Sequence, residues 1–188
     1  MTELGSGRFR AAMAYPKLHT LPNLTADAAR LVDDLEKETD RGIALLGAAF
    51  LDDVLDVMIR ASFVDDVEAM NKLLGPGRPL ESFGSRAHLA YCVGLLGEDI
   101  YEDLNLLREI RNDFAHRHPA NFNSEQIRSK CERLKCVSAL LPDDSCPPRD
   151  RLIATVALIV NHLMVATAEL KHATPARSFL QNGVLRLR

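Results

Sequence analysis

A chain of 188 residues is long enough to bury a substantial core as one domain without disulfide or metal staples. Its 47% hydrophobic and 26% charged content is that of a globular protein, and with only 5% aromatic residues and no Trp the core must be aliphatic. A net charge of −3 supplies no overall basic field to gather nucleic-acid backbone, which excludes broad, nonspecific DNA binding.

The four cysteines, at 92, 131, 136 and 146, form no Cys-x-x-Cys pair, so neither a zinc ribbon nor a dithiol redox motif is indicated. Reduced thiols are expected. Met1 to Leu18 lacks a basic start followed by an apolar run, and no later segment is an uninterrupted apolar span of roughly 18 residues. The expectation is a cytoplasmic protein with no membrane contact.

Residues 1–23 carry Gly5, Gly7, Pro16 and Pro22 with no sustained period and read as a flexible N-terminal arm. Thr25 is a candidate N-cap for a first helix whose apolar positions are Ala28, Leu31, Val32 and Leu35. A central helix follows from about Asp40 to Phe63. Its expected inward stripe is Ile43, Leu46, Phe50, Val54, Val57 and Ile59, with Ala44, Gly47 and Ala48 letting a neighbour approach closely. Asp52, Asp53 and Asp56 interrupt that stripe and need water or basic partners, for which Arg108 and Arg111 are candidates. Adjacent Asp52 and Asp53 diverge by about 100° on a helix, so no metal site is expected.

A short helix near 65–74 runs into the turn Gly75-Pro76-Gly77-Arg78-Pro79, which lacks the Gly-Lys-Ser/Thr of a phosphate-binding loop. The spacing then predicts a helix over Leu80–Leu96, a stop at Gly97, and a restart at Asp99 with Glu102 completing a capping box. Ile100, Leu104, Leu107, Ile110 and Phe114 form the inward stripe of the restarted helix, which Pro119 ends. Asn123 or Ser124 can cap a further helix through about Ala139, with Ile127, Cys131, Leu134 and Val137 inward and Cys131 a core residue. Residues 141–150 break the series, and an apolar run from about Arg151 to Leu170 predicts a largely buried last helix with His162 at an interior or interface position. Residues 173–188 form a mildly basic tail. No segment alternates as a strand. The fold expected is all-α, a single helical bundle of about six to seven helices over residues 24–172.

The densest chemistry lies near the end of the restarted helix. Arg108, Asn112 and His116 follow at i, i+4 and i+8, and Arg111 lies one position round. Arginine forks fit phosphate or carboxylate, histidine exchanges a proton near neutral pH, and asparagine orients either. Two structural roles compete: Arg111 in an ion pair with Asp52 or Asp53, and His116 capping its own helix. No cofactor is expected.

Arg41-Gly42, Ala48-Ala49-Phe50-Leu51-Asp52-Asp53, Gly75-Pro76 through Pro79-Leu80-Glu81-Ser82-Phe83-Gly84-Ser85-Arg86, Leu89-Ala90-Tyr91 with Gly94-Leu95, and Leu104 through His116 together resemble the mannitol operon repressor family. The match runs from about Arg41 to Leu134, with His88 standing where an aliphatic residue is expected. The resemblance implies a repressor-like transcriptional regulator of a sugar-alcohol uptake operon that acts mainly through protein partners, a DNA-binding regulator among the candidates. Direct DNA binding is then expected to be weak or absent, in keeping with the lack of a short turn followed by a basic recognition helix. The residues expected to carry interaction are Arg108, Arg111, Asn112, His116, Asp52, Asp53 and Arg86. A homodimer is expected from the apolar last helix and the small-residue central helix.

A second, shorter resemblance is to HEPN domains, whose Arg-Asn-x-x-x-His motif is matched by Arg111 to His116. It implies an alternative activity, RNA cleavage without metal at a dimer interface. His116 would act as general acid or base, Arg111 as phosphate clamp and Asn112 as the orienting group.

Overall fold

The computed structural model describes residues 24–117, 119–138 and 146–175; the expected arm and the tail beyond Pro175 lie outside the described residues. Eight helices follow in order: α1 (Ala26–Glu36), α2 (Asp40–Ser62), α3 (Val67–Leu74), α4 (Phe83–Cys92), α5 (Glu98–His116), α6 (Glu125–Glu132), α7 (Lys135–Ser138) and α8 (Pro148–Glu169). No strand occurs among the described residues, so the all-α bundle is as expected, with the single turn of α7 as the extra element. Thr25, Thr39, Asp66 and Ser82 cap α1 to α4, each accepting a backbone N–H from the residue three positions on, which satisfies a donor the first helical turn leaves open.

The bundle is built around α2, which packs against α1, α4, α5 and α8. Helices α2 and α8 run parallel: Arg149 at the start of α8 bonds Asp40 at the start of α2 (3.0 Å), and further along Gly47 lies against Val156. A Cβ on Gly47 would stand 3.1 Å from Val156 Cγ2, so the close approach depends on that glycine. Arg149 also donates to the carbonyls of Glu36 and Glu38, tying the α1–α2 turn to α8.

The buried face of α2 differs from the expected one. Ile43 and Ile59 are inside, but the rest of the face is Ala44, Gly47, Ala48, Leu51, Leu55 and Met58. Leu46, Phe50 and Val57 remain 40%, 42% and 56% exposed. Apolar residues surround most of this helix, and the small ones decide its orientation because they admit α8 most closely.

Gly94, at φ 78°, turns the chain after α4, which ends at Cys92 instead of continuing to Leu96. Gly97 is the N-cap of α5, which begins at Glu98 without a side-chain cap, so the expected capping box at Asp99 is not formed. All five residues of the expected α5 stripe are buried, from Ile100 to Phe114. The helix expected to run to Ala139 breaks after Glu132 and restarts as α7. The break is fixed from α5: the fully buried Asp103 carboxylate accepts the N–H of Lys135 (2.8 and 3.1 Å) and of Cys136 (2.8 Å). Cys131 is a core residue, and burial pushes its thiol up to about 12.

Helix α8 is long and apolar enough to cross a membrane by composition, yet Arg151 to Ala157, Ile159, Val160 and Leu163 are buried inside the bundle, as in a core helix. His162 is not interior; it is exposed on the outer side of α8. Past α8 the chain continues beside the end of α2, where Ala173 N–H donates to Phe63 O (3.1 Å).

Candidate functional site

Helices α2 and α5 and the first turn of α4 border a cleft of about 530 Å³. Arg108, Arg111 and Asn112 line it from α5, Leu45, Ala48, Ala49 and Asp52 from α2, and Glu81 to Gly84 from the start of α4. Three of the sequence-expected residues on α5 therefore do share a surface. Arg108 lies across the α4 turn at Gly84, where a Cβ would come into ordinary van der Waals contact with it, 3.4 Å from Cδ and 3.6 Å from Nε. Arg111 Nη1 donates to Asn112 Oδ1 (3.0 Å).

Among the described residues neither Arg108 nor Arg111 forms an ion pair. The expectation that they neutralise the α2 acids is thus corrected: the cation for those acids is Arg86 of α4. Its Nη1 meets Asp52 Oδ1 at 2.6 Å, its Nη2 meets Asp56 Oδ1 at 3.4 Å, and Nη2 also donates to Leu74 O (3.2 Å). The Arg86 side chain is only 12% exposed, and Asp56 is shared with Arg60 of α2 (2.5 Å). Asp53 points elsewhere, exposed on the side of α2 that faces α8, and does not join the cleft. Helical spacing shows which residues share a face but not which helices meet, and α4 is the helix that meets this side of α2.

His116 is exposed and lines no part of the cleft. It follows Asn112, the last residue of α5 in the lining, by four residues, roughly 6 Å along the axis, which carries it past the cleft's end. The metal-free acid–base group implied by the shorter resemblance is therefore not assembled inside the cleft. Between Asn112 and His116, Asp113 has a structural part: buried, it bonds Lys130 of α6 (2.8 Å) and Arg117 (3.2 Å). Glu81, Ser82 and Gly84 are among the lining residues that sequence reasoning did not single out, although Glu81-Ser82-Phe83-Gly84 stands within the run that carries the family resemblance.

Chemically the cleft can hold an anion, because two guanidinium forks face solvent without a carboxylate to satisfy them. Their exposure also separates them from the fold's stability. Arg111→Ala is expected to change unfolding free energy by no more than about 0.5 kcal/mol, measured by urea denaturation, because it removes neither a buried group nor an ion pair.

The family model for the mannitol repressor, MtlR, matches residues 29–174, which extends the resemblance from the part between Arg41 and Leu134 to nearly the whole described bundle. The mannitol operon repressors of Escherichia coli strain K12 and of strain O6:H1 (CFT073) are each 26% identical to this chain over 118 residues, covering 60% of this chain. The chain spans about 60% of the length of these curated relatives. A chain of the X-ray structure of the MtlR-HPr complex from Escherichia coli superposes with a TM-score of 0.59 at 20% identity, over 77% of this chain and 99% of that one, which establishes a common fold. On the reach of the family model through α1 to α8, the chain belongs to the mannitol repressor family.

Proposed function

We propose that this chain is a repressor-like regulator of a sugar-alcohol uptake operon, working through a protein partner rather than by reading DNA itself. The observation that carries the reading is the family match over residues 29–174. The basic residues of the bundle support it. Arg128 and Lys130 of α6 are paired with acids, and Arg86 is enclosed, so among the described residues no exposed basic helix follows a short turn as a major-groove reader needs. The relative of known structure was solved with HPr, and a protein of that kind is the partner proposed here. The surface proposed for it is the outer side of α5, where Arg108, Arg111, Asn112 and His116 offer cationic and polar groups, backed by Asp52 and Arg86. Asp53 belongs instead with the apolar outer face of α2, where Phe50 and Val57 support a homodimer through a two-fold contact.

One set of samples tests both parts. Sedimentation of the purified chain should show a dimer that Phe50→Glu dissociates. Calorimetry should show a complex with the HPr of the same genome, weakened at least tenfold by Arg111→Glu. Tight binding of the chain alone to one bare promoter fragment at physiological salt, with no HPr complex, would overturn the reading.

A further inference from the structure

The cleft between α2, α5 and the first turn of α4 offers more than a charged rim for a protein. We propose that it binds a small organic phosphate, with one phosphate monoester group held by Arg108 and Arg111 and a hydroxyl-bearing body of sugar size filling the remainder. The inference does not depend on which protein the chain regulates with.

The anion end follows from charge. Asp52, the α2 acid in the lining, is neutralised from behind by Arg86, whose Nη1 is 2.6 Å from it, so its charge does not cancel the arginines in front. Glu81 sits at the edge, where its Oε2 accepts Gly77 N–H (2.9 Å). That leaves two guanidinium forks with no carboxylate among the described residues, one of them laid over Gly84. Each can bind phosphate oxygens through two N–H groups, which a single point charge cannot do. The first turn of α4 adds the N–H groups of Phe83 and Gly84, which have no intrahelical acceptor, while that of Ser85 is taken by the Ser82 hydroxyl.

The body follows from volume and from the walls. About 530 Å³ is in the range of small-molecule sites and several times what a lone phosphate fills. Asp52, Glu81, Ser82 and Asn112 present oxygens and an amide suited to ligand hydroxyls, while Ala48 and Phe83 offer apolar surface to its carbon skeleton. The Glu81 carboxylate, which forms no ion pair among the described residues, repels a second anionic group, which selects one phosphate and disfavours polyphosphates.

Calorimetry on the full chain in a phosphate-free buffer tests this with four probes: a hexitol monophosphate, inorganic phosphate, the unphosphorylated hexitol and ATP. The monophosphate is expected to bind at least tenfold tighter than any of the others. Arg108→Gln and Arg111→Gln should each weaken it roughly tenfold at unchanged melting temperature, the loss of one charge-assisted contact. Ala49→Leu, at an exposed helix position in the lining, should weaken the monophosphate more than inorganic phosphate by occupying the body's space. No monophosphate binding at millimolar concentration, or binding unchanged in both arginine variants, overturns the site. Equal affinity for inorganic phosphate overturns the sugar-sized body, and tighter binding of ATP overturns the single-phosphate choice.

Discussion

Arg86→Ala is expected to destabilise the bundle by about 3–5 kcal/mol, the larger of the single-residue effects that the cleft region allows. The guanidinium is 12% exposed, while its two carboxylate partners, Asp52 and Asp56, are 30% and 23% exposed. Removing the cation leaves both acids with their desolvation and without its attraction, and leaves the Leu74 carbonyl without its donor. Asp52→Ala should cost less, because Arg86 keeps Asp56 and Leu74 O. Arg86→Lys should fall between the two, since one ammonium cannot reach all three acceptors in the geometry of the planar fork. Urea midpoints at constant m-value give the comparison, and a loss below about 1 kcal/mol for Arg86→Ala would show that water already serves these acids. The same change bears on the cleft, where Asp52 would stand uncompensated beside Arg108 and Arg111 and lower affinity for any anion.

The sequence made some parts of this architecture legible and left others out of reach. The inward stripe of α5 could be read outright, because its apolar residues occupy one side of the helix and its charges, Asp103 and Asp113 excepted, lie off that side, so only one orientation buries it. On α2 the apolar residues spread around the circumference, and periodicity chose Leu46, Phe50 and Val57 where packing chose Gly47, Leu51 and Met58. The small residues were read correctly as a close-contact surface; the missing step was that a close contact also fixes which face turns inward. The arginine group illustrates the same limit at the site. Its sharing of a face was visible from i, i+4 spacing, but the partner of the α2 acids was not. Arg86 stands 34 positions from Asp52, and nothing local joins them. His116 was placed correctly on the helix but lies outside the surface it was expected to share, because spacing gives direction around the axis while the cleft ends at Asn112, about one turn earlier.

Asp103→Ala is the second large effect, expected to cost about 3 kcal/mol or more and to act first on α7. Asp103 is fully buried on α5, and its carboxylate accepts three hydrogen bonds from the backbone of Lys135 and Cys136, the opening amides of a helix only four residues long. Such a helix does not hold itself, since fixing one turn costs more conformational entropy than its own bonds return. With the carboxylate gone, those N–H groups lose their acceptor in a place that water does not reach from the α5 side, so α7 should loosen before the bundle unfolds. Asp103→Asn keeps one acceptor oxygen and should lose less. In a domain of this size the alanine change corresponds to a melting temperature lower by roughly 6–12 °C. A local readout separates loosening of α7 from general weakening. Burial, and next the bond to Asp103, push the Cys136 thiol well up, so in the native chain it reacts slowly with a maleimide. In a Cys92→Ser background, Asp103→Ala should speed labelling of Cys136 more than that of Cys131, which is buried in α6 and relies on no bond to Asp103. Equal acceleration at both thiols would mean that the bundle opens as a whole, and that the carboxylate fixes the start of α7 without controlling its local stability.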